Sequence, residues 1–211
     1  MPAADSLLRG ALRAESVLGV ETALGEVAER LARVTVQVRF GGRSAGAGVV
    51  WLRTGVVVTN AHVATGPGAE VVLPDGRVLS ARVSARDPGR DLALLAVPAE
   101  DLEPALRSDA RGLRAGELVV ALGHPLGVAY ATALGVVHRV PTGARGPAGW
   151  LHADIRLAPG NSGGPLADTA GRVVGINAMI VGGLGIAVPS HVVEAFVRAV
   201  ADARHGGARA A

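Results

Sequence analysis

No cysteine occurs in the 211 residues, so disulfides contribute nothing to stability, and cysteine usage leaves both a reducing and an oxidising compartment open. Lysine is missing too. All 21 basic residues are arginine, whose high pKa accounts for a sequence pI near 10.8 at a net charge of only +3. No long basic run accompanies that charge, which argues against a nucleic acid partner. Aromatic residues make up 2% of a chain that is 49% hydrophobic, so the core has to be built from Val, Leu, Ala and Ile. No stretch approaches the roughly 18 consecutive apolar residues of a membrane span. Residues 1–25 carry Asp5, Arg9, Arg13, Glu15 and Glu21 without the apolar run of about 7–15 residues that a secretory leader needs. A cytoplasmic location is the resulting expectation; a true start further upstream would reopen the periplasm or the exterior. The histidines at 124, 138 and 152 show no metal-ligand spacing, so they are read as structural or surface residues, and neither metal nor cofactor is expected.

What is present is mostly strand. After a helical stretch from Asp5 to about Arg33, short apolar runs recur between Gly-, Pro- and Asp-containing turns. Strands are predicted over 34–40, 46–52, 55–59, 70–73, 77–85 and 92–97, with Pro74-Asp75-Gly76 as a strong hairpin turn. A stretch rich in Pro, Asp, Arg and Ala follows at 98–116. A second group is predicted over 117–123, 129–139, 149–156, 165–167, 172–179 and 185–188, and a helix over 191–205 closes the chain. The N-terminal stretch carries Leu7, Leu8, Ala11, Leu12, Val27 and Leu31 at three- and four-residue spacing, with Asp5 or Ser6 as N-cap. Breaks are expected at Gly19 and Gly25.

The stretch that carries chemistry is Gly160-Asn161-Ser162-Gly163-Gly164-Pro165-Leu166. A serine hydroxyl is a weak nucleophile until a neighbouring base removes its proton. Its attack on a carbonyl places negative charge on oxygen, which nearby backbone N–H groups can stabilise. Gly160 lets the chain turn so that its N–H and that of Ser162 face one point. Gly163 and Gly164 are expected to leave the far side open for a substrate backbone. A base and an orienting carboxylate must come from elsewhere, and His62 in Thr59-Asn60-Ala61-His62-Val63 and Asp91 in Asp91-Leu92-Ala93-Leu94-Leu95 are the candidates.

TNAHV, DLALL and GNSGGPL, in that order along the chain, resemble the trypsin-like serine proteases, specifically their HtrA/Deg branch, from about Val36 to Ser190. The resemblance implies an all-β fold of two six-stranded antiparallel barrels with N- and C-terminal helices. Its divisions would be 1–33, 34–97, 98–116, 117–190 and 191–211. It implies a Ser162–His62–Asp91 triad, an oxyanion hole from Gly160 and Ser162 with Asn161 shaping the turn, and an S1 pocket walled by Leu157, Ile180 and Val181. Asn161 stands where digestive trypsins have an aspartate that pairs with a new N-terminus, so activation by prodomain cleavage is not expected. Arg156 stands where the family has a small residue; it either lines the pocket and favours an acidic P1 or points outwards. Polypeptides, unfolded or partly folded, would be the substrates, with small aliphatic P1 side chains. The N-terminal helix would either mediate a homotrimer or pack on its own barrel. No segment of PDZ length follows residue 190, so the match is to a protease domain alone. Two other functional classes stay open: a non-catalytic or latent binding or chaperone module on the same fold, and a serine esterase.

Overall fold

Alternation along the strands sorts apolar side chains into separate cores, because successive residues of a strand face opposite ways. In β2 (Arg43–Leu52), Val50 joins the interior of one barrel while Val49 and Trp51 turn to a second cluster outside it. β3 (Val56–Thr59) and β6 (Leu92–Ala96) repeat the pattern, with Val57, Ala93 and Leu95 inside and Val58, Leu92 and Leu94 outside. With β1 (Thr35–Phe40), β4 (Gly68–Val72) and β5 (Val78–Asp87) these strands close in the order β1-β2-β3-β6-β5-β4.

The computed structural model describes residues 19–125, 129–141 and 149–208, with side chains as far as 203. Its second half repeats the first. β7 (Leu118–Gly123), β8 (Ala131–Arg139), β9 (Leu151–Asp154), β10 (Pro165–Asp168), β11 (Val173–Val181) and β12 (Leu184–Pro189) close as β10-β11-β12-β9-β8-β7. Renumbered from its own first strand, this is the connectivity of the first barrel. The fold is therefore all-β, two closed six-stranded antiparallel barrels, and closure leaves no sheet edge along the full length of either.

The cluster outside the barrels unites the molecule. Val49, Trp51, Val58, Leu92 and Leu94 of the first barrel meet Val120, Leu122, Val173 and Ile176 of the second. Two helices complete it: α1 over residues 19–34 through Val27, Leu31 and Val34, and α2 (Ser190–Ala208) through Val193, Phe196 and Val197. Helix α1 runs unbroken through Gly25, contrary to the expected break. One interior glycine costs about 1 kcal/mol against alanine, and burial of Val27 (3% exposed), Leu31 (0%) and Val34 (4%) outweighs that at roughly 1.5–3 kcal/mol each. Arg30 ties the helix down by donating to the Ala170 carbonyl at 2.7 Å. This part of the N-terminal segment thus packs on its own barrels. Leu7, Leu8, Ala11, Leu12 and the expected cap at Asp5 or Ser6 lie outside the described residues. Among the described residues no helix is long and apolar enough to cross a membrane.

Candidate active site

Asp91, opening β6, is held where a carboxylate can serve the chain that leaves β3. Its backbone has φ +53°, a left-handed conformation uncommon for a residue with a side chain. The buried Asn60 amide donates to the Asp91 carbonyl at 2.9 Å and so fixes that conformation. The carboxylate then accepts from both donors of His62: Oδ1 from the backbone N–H at 3.1 Å, and both oxygens from ring Nδ1, Oδ2 at 2.8 Å and Oδ1 at 3.0 Å. On the other side of the turn the Arg86 guanidinium donates two bonds, 3.0 and 2.8 Å, to the Ala61 carbonyl. The carboxylate is 12% exposed and the imidazole 48%, so the ring presents its other edge to solvent while its partner is shielded. A carboxylate on Nδ1 keeps the proton there and leaves the Nε2 lone pair outward, the tautomer of a general base.

The Ser162 turn is clamped between the barrels. The Ala47 N–H on β2 donates to the Ser162 carbonyl at 2.8 Å, and the Gly163 N–H donates to Asn177 O on β11 at 2.8 Å. A Cβ on Gly163 (φ +84°) would lie 2.0 Å from Ala47 O and 2.3 Å from Thr59 Oγ1, and one on Gly164 would lie 2.2 Å from Leu122 O. These two glycines therefore exist for close backbone packing against β2 and β7. The expectation that they leave room for substrate is corrected, because the space beside them is already filled by backbone.

Gly160 does turn the chain as the sequence implied. With φ +107° it takes the third position of an Ala158–Asn161 turn closed by Asn161 N–H to Ala158 O at 3.0 Å. The N–H groups of Gly160 and Ser162 donate to no other described atom, so two donors flank the serine with nothing to bond. The Ser162 hydroxyl donates to the Ala178 carbonyl at 3.1 Å. Among the described residues it makes no hydrogen bond to His62: the fold pairs His62 with Asp91 and leaves Ser162 bonded elsewhere.

Beside Ser162 lies a cavity of about 230 Å³, walled by Leu157, Ala158 and Pro159 on one side and by Asn177 to Ile180 on the other. Leu157 and Ile180 stand in its wall. Val181 lies outside it: this residue pairs with Leu184 at the end of the β11–β12 hairpin. Met179 takes the place instead. Sequence reasoning missed it, since no local pattern shows how far along β11 the cavity extends. Arg156 is exposed and outside the cavity wall, so it points outwards. A larger depression of about 370 Å³, between Arg107–Asp109 and the start of α2, holds none of the expected site residues. His138 is exposed, whereas His124 is buried, and burial with the positive charge of Arg39 pushes its pKa down to about 4. Among the described residues no three histidine, aspartate or glutamate side chains group as metal ligands.

A family model described as a trypsin-like peptidase domain matches residues 46–176. The chain is 35% identical over 174 residues to the serine protease Do-like HtrA of Lactobacillus helveticus, covering 73% of this chain and 42% of that protein. It is 36% identical over 143 residues to a probable periplasmic serine endoprotease DegP-like of Halomonas elongata, covering 65% of this chain and 30% of that one. To the mitochondrial serine protease HTRA2 of Drosophila ananassae it is 32% identical over 175 residues, with coverage of 78% and 41%. It thus spans less than half the length of these curated relatives. Among solved structures, an HtrA-type protease AlgW with a decapeptide superposes with a TM-score of 0.74 at 25% identity, covering 83% of this chain and 66% of that one. The same protease with a tripeptide gives 0.76 at 28%, covering 83% and 62%.

Proposed function

Since the chain belongs to the trypsin-like peptidase domain family and is an HtrA-like member of it, we propose that it is a serine endopeptidase using Ser162, His62 and Asp91. The observation that carries the reading is the His62–Asp91 pair at 2.8 Å on the first barrel, whose strand β2 is bonded to the carbonyl of a serine flanked by two unengaged backbone N–H groups. His62 Nε2 takes the hydroxyl proton as Ser162 attacks the scissile carbonyl. The tetrahedral oxyanion is received by the N–H groups of Gly160 and Ser162, with Asn161 fixing the turn. His62 then protonates the leaving amine, and water regenerates the serine from the acyl-enzyme. Asp91 keeps the ring tautomer without taking the proton.

The substrate is an extended polypeptide from an unfolded or partly folded protein, as suits a role in protein quality control. Strand β11 pairs with β10 as far as Ile176 and with the Gly163–Gly164 turn at Asn177, so the edge over Met179–Val181 is the stretch offered to an incoming strand beside the serine. The P1 side chain enters the cavity walled by Leu157, Met179 and Ile180, which fits Val, Ala, Ile or Leu. The reading divides the chain at 1–33, 34–97, 98–116, 117–190 and 191–211, and assigns self-association, as a homotrimer, to the N-terminal segment. Light scattering before and after deletion of that segment tests the last point: an unchanged mass removes it.

A latent or non-catalytic binding module is the second reading. The hydrogen bond from Ser162 to Ala178, in place of one to His62, favours it. One experiment separates the two. A fluorophosphonate probe should label the wild type and not Ser162→Ala, and a casein digest should yield new peptide termini only with the wild type. No labelling of a folded wild type supports latency. Ester turnover without peptide turnover points to an esterase.

A further inference from the structure

At the Ser162 turn both ring nitrogens of His124 and Oδ1 of Asn161 are buried and have no hydrogen-bond partner among the described residues. Their residues are 3% and 5% exposed. Each such atom has left water without replacement, which costs stability. An apolar ring of the same size at 124 would avoid that cost, so packing alone does not account for an imidazole there. The ring is neutral at neutral pH, because burial and Arg39 press its pKa down to about 4, and it therefore carries one N–H donor and one lone pair. It packs edge-on to Tyr130 with centroids 4.9 Å apart.

The two segments that hold these atoms touch. The His124 backbone N–H donates to the Gly160 carbonyl at 3.0 Å. A Cβ on Gly160 would lie 2.4 Å from His124 O and 2.7 Å from the Pro125 Cα, and one on Gly123 would lie 2.6 Å from Asn161 Oδ1. Any shift of residues 123–125 is therefore passed to Gly160 and Asn161, the residues that aim the two free N–H groups. An unpaired donor and an unpaired acceptor sit on either side of this contact.

We infer that His124 is a positioning residue for the nucleophile turn: its ring N–H, unbonded at rest, pairs with the Asn161 side-chain carbonyl as the Gly160 and Ser162 N–H groups receive the developing oxyanion, and that bond holds the turn. The inference rests on the endopeptidase reading of the same site. Its energetic signature is a side chain that lowers stability at rest and raises the rate in the transition state.

The test compares His124→Phe, which keeps the ring and removes both nitrogens, with His124→Asn, which keeps an N–H donor. Ser162→Ala serves as control. The readouts are kcat and KM on a fluorogenic peptide with valine at P1, and the melting temperature. His124→Phe should melt at or above the wild-type temperature, keep KM within about twofold and lose kcat at least about tenfold; removal of a whole oxyanion donor costs about 10²–10³. His124→Asn should recover most of kcat. Wild-type kcat in His124→Phe overturns the inference, as does a loss that His124→Asn fails to relieve, since ring packing would then be the whole role. If Ser162→Ala is inactive while His124→Phe is unimpaired, only this inference falls. Turnover surviving in Ser162→Ala overturns the endopeptidase reading and this inference with it.

Discussion

Replacing Asp91 by Asn is a clean probe of the site, because asparagine tolerates the left-handed backbone that Asp91 adopts at φ +53°. The carboxylate accepts from the His62 backbone N–H at 3.1 Å and from ring Nδ1 at 2.8 Å, and the side chain is only 12% exposed. An amide offers one acceptor and one donor group in the same space. The backbone N–H cannot change character, so the amide oxygen must face it and the NH₂ must face the ring. The NH₂ group then takes the nearer position to Nδ1, 2.8 Å against 3.0 Å for the oxygen, so Nδ1 is favoured as an acceptor, the ring proton moves to Nε2, and the outer edge of the ring can no longer take a proton. Loss of this tautomer in a triad lowers kcat about 10⁴-fold, about 5.5 kcal/mol of transition-state stabilisation at 1.36 kcal/mol per tenfold. Peptide turnover and the rate of fluorophosphonate labelling should fall together, while the urea midpoint stays close to wild type. Wild-type rates in Asp91→Asn would show that another carboxylate orients His62. A rate loss matched by a collapse in stability would show that Asp91 is chiefly a structural tie for the Asn60–His62 turn.

Gly163→Ala places a Cβ 2.0 Å from Ala47 O at φ +84°, so left-handed strain and the loss of the bonds through Ser162 O and Gly163 N should together cost about 3 kcal/mol. A urea titration showing less than about 1 kcal/mol would mean that the clamp between the barrels yields freely. His124 has a folded-state pKa near 4 against an ordinary 6.5, so the unfolded chain binds its proton first as pH falls. The stability it preserves is complete above pH 6.5 and is lost towards pH 4, by up to about 3 kcal/mol. His124→Phe should flatten that part of the curve, and parallel curves for the two proteins would contradict it. Cleavage sites in an unfolded substrate should show Val, Ala, Ile or Leu at P1, and Leu157→Ala should shift the choice towards longer side chains. A preference for Asp or Glu would place Arg156 in the cavity after all.

Local chemistry explains how much could be seen without the fold. Strands and turns announce themselves over a few residues: Val56-Val57-Val58 is a strand in any setting, and Pro74-Asp75-Gly76 turns because Gly76 accepts φ +87°. The all-β class and the two-barrel architecture followed from that punctuation and from the resemblance carried by three short motifs. The nucleophile turn was legible because Gly160 answers a backbone need confined to its own segment. Other features depend on residues far apart in the chain, and no local pattern encodes them. Whether Gly25 breaks α1 depends on the burial of Val27, Leu31 and Val34 against both barrels. Gly163 and Gly164 are glycines on account of Ala47, Thr59 and Leu122, more than 40 positions away. Met179 walls the cavity and Val181 does not, because the cavity reaches along β11 only from Asn177 to Ile180. The Ser162 hydroxyl turns to Ala178, and the His124 ring nitrogens are buried without a hydrogen bond among the described residues, only when the second barrel is closed. The sequence by itself determined which residues have reactive groups and which segments are strands, since both are properties of short stretches. Tertiary structure alone decided which of those groups meet and which stay unpaired, because that depends on how two closed barrels bring distant backbone within 3 Å.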